Sequence, residues 1–383
     1  MAPEATTGTR LEQIERLRSA YPSLPIEAIL KEDVLTEGIA FPPGAPPPAV
    51  LAIEGGPLGV RRAIVRARSR PGARYALECM GNEQVLVDTL SEEPLAVCRA
   101  YSSRPEYMAK RFPSGRAYAN VLDPRGVAHL PLADPKDPAE LAEAAAETYV
   151  LQPWTSGEMP LAIRLVPDPA VQEQPETEQD AFILPYITAL RARIGNIRPI
   201  FLTLPPRDRT GEERLFEAGA TGRVSNLEVW GRDLFGRMGP RVGLNFDAWI
   251  ARILEQSFVY MDIHVQPTLL VGKELSQPDG FVDRDTARRN TEEGIRFLLA
   301  HRVLVRLVHW VPPDGQEAPP VEYYLDLDQA WYEIWRETHR EEPAGELLGP
   351  GHGRDPDSAH LDLGRGANLA AGHADSEGDH RVR

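Results

Sequence analysis

The stretch IRPIFLTLPPRDRTGEERLFEAGATGRVSNLEVW, residues 197–230, decides the fold. It begins with an apolar run closed by Pro205-Pro206, passes through a charged amphipathic segment, and returns to a second apolar run. The two runs read as strands. Thr210 and Glu213 have the spacing of a capping box for a helix over GEERLFEAG (211–219), and Gly219 stops it. A strand, a helix and a strand within about 35 residues form the repeating unit of a parallel α/β sheet.

The same rhythm continues outward in both directions. Downstream come a helix over FDAWIARILEQSF (246–258), a strand over YMDIHVQPTLLVG (260–272) and a helix over DTARRNTEEGIRFLLAH (285–301). They are followed by a strand over VLVRLVHWVPP (303–313) and a helix over DQAWYEIWRETHRE (328–341). Upstream lie a strand over MPLAIRLVP (159–167), an acidic loop QEQPETEQD (172–180) and a helix from about Ile187 to Arg193. Asp137-Pro138, with Glu140 behind it, opens an alanine-rich helix. Residues 102–136 are punctuated by proline and show no clear period. This alternation implies a parallel α/β sheet or barrel.

The chain before it has another texture. Leu11, Ile14 and Leu17, then Ile26, Ile29 and Leu30, fall on helix faces, and PPGAPPP (42–48) stops any helix because five of its seven residues lack an amide proton. Between residues 49 and 101 come short β-like runs such as VRRAIVRAR and QVLVDT, separated by GGP, PG and GN turns. At the other end, residues 343–383 contain no aromatic side chain and eight glycines, a composition expected to be disordered. His352, His360, His373 and His380 in that tail have no metal-ligand spacing and read as solvated. The expected division is 1–48 helices and linker, 49–115 β-rich module, 116–342 barrel, and 343–383 disordered tail.

Composition narrows the function classes. With 42% hydrophobic and 26% charged residues, the chain can bury a sizeable core, which excludes collagen-like and wholly disordered classes. A net charge of −15 disfavours general nucleic-acid binding while allowing a local arginine patch to hold one anionic ligand. Only Lys31, Lys110, Lys136 and Lys273 are lysines, against 38 arginines. Cys79 and Cys98 are too few for a disulfide framework or a four-cysteine zinc site. No apolar run reaches the length of a membrane span, and MAPEATTGTR lacks a signal-peptide pattern, so the expected location is cytoplasmic and away from membranes.

In parallel α/β folds ligands gather at the C-terminal ends of the strands. Those ends carry Thr155-Ser156-Gly157-Glu158, Pro205-Pro206-Arg207, Asn226-Leu227-Glu228, Val271-Gly272-Lys273-Glu274 and Trp310-Val311-Pro312-Pro313. Asn226 and Glu228 have strand parity, so both side chains are expected on one face, where an amide and a carboxylate grip ribose hydroxyls or an amino group. Gly272 lets backbone approach a flat ligand. His264 and His309 lie on neighbouring strands without a metal-ligand spacing. No dinucleotide fingerprint, phosphate loop or nucleophile elbow occurs.

The run FEAGATGRVSNLEVWGRDLFGRMGPRVG (216–243), followed by VQPTLLVGKE and VLVRLVHWVPPDG, resembles the later half of the radical S-adenosylmethionine (SAM) barrel. GGPLGVRRAIVRARSRPGARYAL through RPEYMAKRFPSGRAYANVL is similar to the module that precedes the barrel in some bacterial members. The resemblance implies an α/β fold, a partial (β/α)6 TIM-like barrel after a small β-rich module. It implies a methionine-amino contact at Gly157 and Glu158, with Ser156 replacing one glycine of the family's Gly-Gly-Glu turn. It further implies ribose and carboxylate contacts at Asn226 and Glu228, adenine contacts at Leu270, Gly272 and Glu274, and a last-strand position at Val311. The departure is the cluster signature Cys-x-x-x-Cys-x-x-Cys: after Tyr118-Ala119-Asn120-Val121-Leu122 the chain reads DPRGVAHLPLADPKDPAELAEAAAE, with no cysteine, as though the first strand's end and the cluster loop were missing.

The expected function is therefore a cluster-free small-molecule binder, with SAM the implied ligand and no iron-sulfur cluster, or an auxiliary to a partner enzyme in a bacterial biosynthetic pathway. One alternative is a SAM-dependent enzyme using polar chemistry, with His264 or His309 as general base. A radical SAM enzyme whose cluster loop is absent from this sequence is another. A third is a structural subunit, which would display an apolar patch around Trp249, Trp331 or Trp335.

Overall fold

The structure, a computed structural model, describes residues 8–41, 50–70, 72–81, 83–101, 110–123, 126–151, 162–196, 199–240, 243–260, 264–312 and 316–338. The expected disordered tail lies outside them. The chain divides into two compact units, one of Met1–Ser103 with Val311–Arg383 and the other of Arg104–Trp310. That grouping differs from the four-part division expected from sequence.

In the first unit, helices α1 (Arg10–Ala20) and α2 (Ile26–Glu37) accompany strands β1 (Ile39–Ala40), β2 (Val50–Gly55), β3 (Val60–Arg66), β4 (Tyr75–Met80), β5 (Glu83–Asp88) and β6 (Pro94–Tyr101). The six strands form one sheet in the order β1-β4-β5-β6-β2-β3, antiparallel except for the β1-β4 pair. Thr9 and Glu12 make a reciprocal capping box at the start of α1. Arg10 then anchors that helix: its guanidinium pairs with Asp33 of α2, and its amide donates to Asp88 of β5 at 2.9 Å. Asp88 also receives Arg74 Nε at 2.8 Å and is fully buried. Cys79 and Cys98 both face Gln84 across neighbouring strands, so they stand two strand spacings apart, about 10 Å.

The second unit is built from strand–helix repeats. Strand β7 (Val127–Leu130) leads to α3 (Pro138–Leu151), and β8 (Ile163–Pro167) to α4 (Pro169–Gln172) and α5 (Glu176–Ile194). Next come β9 (Ile200–Thr203), α6 (Arg209–Glu217), β10 (Gly222–Val224), β11 (Asn226–Glu228), α7 (Arg232–Met238) and α8 (Phe246–Gln256). The unit ends with β12 (Thr268–Val271), α9 (Arg284–Ala300) and β13 (Arg306–His309). The last helix, α10 (Val321–Thr338), is grouped with the first unit.

All strand pairs in the second unit are parallel. β10 and β11 are successive halves of one extended run, the first paired back to β9 and the second forward to β12. Amides of Gln266 and Thr268 donate to the Arg223 and Ser225 carbonyls at 2.9 and 3.2 Å, joining the halves into one six-position sheet. The order β7-β8-β9-β10/β11-β12-β13 is purely sequential, which is the winding of a barrel and not of a doubly wound sheet. This is the expected partial (β/α)6 architecture.

Several local expectations change. The first strand, whose end is expected to be missing, is present as β7 inside the cysteine-free interval. The acidic stretch taken as a loop contributes the end of α4 and the start of α5, where Glu176 and Glu178 suit the positive N-terminus of a 19-residue helix. Helix α6 is capped by Asp208, whose carboxylate accepts the Gly211 amide at 2.8 Å, two residues ahead of the expected Thr210 cap. Trp249, Trp331 and Trp335 are buried, at 3% exposure or less, so they supply core and not the exposed patch a structural subunit would show. Among the described residues no helix is long and apolar enough to cross a membrane.

Candidate functional site

Register separates the two faces of the parallel sheet, because partners on parallel neighbours point to the same side. One row holds a leucine from every strand position: Leu130, Leu165, Leu202, Leu227, Leu269 and Leu307, each at most 3% exposed. Arg223, the register partner of Leu202, meets Glu212 of α6, so this row faces the helices. At roughly 2 kcal/mol for each fully buried leucine, the row is a main source of sheet–helix adhesion.

The opposite row is mixed. Phe201, Thr203, Val224, Thr268 and Arg306 are covered, Arg164, Val166, Leu270 and Val308 are half-buried, and His129 and Asn226 are exposed. Arg164 Nε donates to Thr203 Oγ1 at 2.9 Å, which shows that this row also forms side-chain contacts across strands. A sheet with one row sealed by leucine and the other partly open and polar has a single face left for a ligand.

At the strand ends the expected parity of Asn226 and Glu228 does not hold. Asn226 pairs with Thr268, but Glu228 pairs with Leu269, a shift of one residue. The cause is Glu228 itself, at φ 67° in the left-handed region that non-glycine residues rarely enter. Its carboxylate is paired with Lys273 Nζ, which also donates to the Met238 carbonyl at 2.8 Å. Lys273 follows Gly272, a left-handed glycine at φ 97° that turns the chain off the end of β12.

Glu274, expected to face the ligand, is 2% exposed and spent on its own turn. Its carboxylate accepts the Gly272 amide at 2.8 Å and the Thr291 hydroxyl at 3.4 Å, and its carbonyl accepts the Phe281 amide. Leu270 lies on the open row, half-buried. Gly157 and Glu158 fall outside the described residues. Val311 is 46% exposed and begins the segment grouped with the other unit.

The two histidines are not poised together. His309 shares the sealed row with Leu307, facing the helices. His264 precedes β12, at the end opposite the strand C-termini, edge-on to Phe201, and burial lowers its pKa. Lys273 belongs to the strand end Val271-Gly272-Lys273-Glu274 marked out in the sequence, whereas Arg164 and Thr203 lie outside the residues singled out there. Lys273 had a compositional signal, being one of four lysines in an arginine-rich chain, and Arg164 interrupts an otherwise apolar strand.

Behind the sealed row lies a buried ionic network. Arg223 Nε stands 2.9 Å from Glu212, which also accepts Gln256 Nε2 at 2.7 Å and the Arg207 amide at 3.0 Å. Arg207 pairs in turn with Asp180 and Gln179 of α5. This network fixes the loop after β9 and offers no open group. A separate cleft of about 710 Å³, lined by Trp230, Arg232, Phe246, Asp247, Phe281 and Phe297 among others, lies among α7, α8 and α9. None of its lining residues stands on the open strand row, and Arg232 and Asp247 at its edge neutralise each other at 2.8 Å.

A cysteine-bound iron-sulfur cluster does not fit this donor set. The SAM-chelating cluster is held by three thiolates, whereas this chain has two cysteines, both on the antiparallel sheet of the other unit. Burial pushes the Cys98 thiol up to about 12, which disfavours the ligating thiolate. Residues 131–137, linking β7 to α3, contain no cysteine.

No protein-family model matches the chain, and no curated protein matches it. Among solved structures it is similar to methylornithine synthase at 13% identity and TM-score 0.37, covering 88% of this chain and 70% of that one. The FeFe-hydrogenase maturase HydG from Carboxydothermus hydrogenoformans gives 14% and 0.37, covering 61% of this chain and 59% of that one. The N-terminally deleted Elp3 of Methanocaldococcus infernus gives 13% and 0.36, covering 64% and 63%. The chain thus spans less than two thirds of the latter two. Likeness at this level carries no argument about activity, and the fold rests on the strand order itself.

Proposed function

We propose that the half-barrel binds a small polar molecule on its open strand row at the ends of β11 and β12, with SAM the first candidate, and that no cysteine-bound cluster takes part. The observation that carries this reading is the asymmetry of the sheet. Leucines seal one row, while the other leaves Asn226 exposed beside the strained Glu228 and its partner Lys273. A non-glycine residue held at positive φ costs about 1–3 kcal/mol, and such strain concentrates at ligand sites.

Each residue then has a chemical role. The Asn226 amide donates to and accepts from ribose hydroxyls, and Glu228 accepts from a hydroxyl or an ammonium group. Lys273 holds that carboxylate in place, and Leu270 with Gly272 leaves an apolar, side-chain-poor surface for an adenine ring. Gly157 and Glu158 complete the proposal as receivers of the methionine amino group. Polar catalysis through His309 is disfavoured by its place in the sealed row.

Calorimetric titration of the full chain with SAM tests the reading. Saturable heat that Glu228→Ala abolishes supports it. Heat unchanged by that substitution, or no heat in the wild type, overturns it.

A further inference from the structure

The cleft of about 710 Å³ among α7, α8 and α9 has an aromatic wall. Trp230 is set by its neighbours: Phe246 meets it edge-on at 5.1 Å between ring centroids, and Phe297 lies tilted at 5.4 Å. Gly294 lets the backbone of α9 come so close that a Cβ there would stand 2.6 Å from the indole. Phe246, Phe281 and Phe297 line the cleft and are only half-buried, so apolar ring surface stays open to it. The volume suits a small molecule, whose pockets are mostly apolar with a few placed polar groups.

One such group is Asn290. Its Nδ2 donates to the Trp230 carbonyl at 3.0 Å, which fixes the amide and leaves Oδ1 as an acceptor. A Cβ on Gly231 would come within 3.1 Å of that oxygen, and the glycine, held at φ 93°, keeps the approach clear. Both residues line the cleft.

The charged lining leans negative. Three carboxylates, Asp233, Asp247 and Glu293, stand against two guanidinium groups, Arg232 and Arg237. Arg232 is taken by Asp247 through Nε at 2.8 and 2.9 Å, and Arg237 Nε donates to the Asp279 carbonyl at 3.0 Å. Glu293 holds no hydrogen bond or ion pair among the described residues. Ring faces, an amide oxygen and an unpaired carboxylate all attract positive charge, and aromatic walls accept an alkylated ammonium without asking it for hydrogen bonds.

We propose that this cleft binds a small organic cation, an alkylammonium whose apolar substituents pack on Phe246, Phe281 and Phe297 and whose charge is met by the rings and by Glu293. Asn290 Oδ1 accepts from a hydroxyl or N–H of the same ligand. No cleft residue stands on the open strand row, so this is a second site, separate from the one at the ends of β11 and β12.

The test titrates the full-length chain with choline and with dimethylbutanol, its uncharged isostere in which carbon replaces the quaternary nitrogen, followed by ligand-observed NMR. Choline should bind saturably and about fivefold more tightly than the isostere, the gain of a cation over aromatic faces. Glu293→Gln should weaken choline binding about threefold, whereas Arg237→Gln should tighten it by removing the opposing charge. Phe281→Leu should weaken choline more than the isostere. All three side chains are at least partly exposed, so the fold should persist, which thermal melting checks. Equal binding of the two probes, no saturable binding of choline, or effects of Glu293→Gln and Arg237→Gln in the same direction overturn the proposal. The outcome is independent of the SAM titration, because the two sites share no residue.

Discussion

Lys273 Nζ donates at once to the Glu228 carboxylate and to the Met238 carbonyl, and Glu228 meets it from a left-handed backbone at φ 67°. The pair therefore joins the end of β11, the turn after β12 and the end of α7. A left-handed L-residue costs about 1–2 kcal/mol, a cost glycine avoids. Glu228→Gly should consequently be more stable than Glu228→Ala by about 1 kcal/mol, although both lose the carboxylate. Urea unfolding of the two variants measures this; equal midpoints would mean that the backbone strain is absent.

Glu212 is the shared acceptor of the network behind the leucine row. Replacing it with leucine leaves the fully buried Arg223 without its carboxylate. Removing one partner of a buried ion pair typically costs about 3–5 kcal/mol. Glu212→Leu should lower stability by that amount in chemical denaturation, and a loss below about 1 kcal/mol would show that the network is dispensable.

Asp88 makes the first unit acid-sensitive. Burial alone would raise its pKa, but hydrogen bonds from Arg74, the Arg10 and Leu90 amides and Ser91 outweigh that and bring it down to about 2. Because the folded value lies below the unfolded one, the stabilisation is complete above about pH 4 and is lost as pH falls through 2. Its size is about 2 kcal/mol. Between pH 4 and pH 2, wild type should lose more stability than Asp88→Asn; parallel curves would contradict this.

The cysteines give a direct chemical contrast. Cys79 is exposed and Cys98 is buried with a raised pKa. A thiol reagent at pH 8 should modify Cys79 in the native state and reach Cys98 only on unfolding. Anaerobic incubation with iron and sulfide should give no stable charge-transfer absorbance; a stable brown holoprotein would refute the cluster-free reading.

Much of the second unit was legible because its strands are short apolar runs set at regular spacing, and the leucine of each run fixes which face is sealed. Strand β7 was not legible, since four residues among prolines carry no period of their own. The length of α5 was hidden by an acidic first turn that looks like a loop and by Pro185 inside the helix. At the site, Asn226 and the turn at Gly272 could be placed from strand-end position alone. The broken parity at Glu228 could not, because a positive φ is signalled in sequence by glycine or asparagine, and here the residue is glutamate. Glu274 looked equally available, yet its use within its own turn depends on backbone geometry that spacing does not reveal. The Arg164–Thr203 contact required register between strands 39 residues apart in sequence.

Hydrogen–deuterium exchange of the full chain with and without SAM tests the central claim, that the open strand row at the ends of β11 and β12 is the ligand face. Slowed exchange in residues 226–229 and 271–275 on adding SAM is the predicted result. Unchanged exchange there, or protection confined to the cleft among α7, α8 and α9, would contradict it.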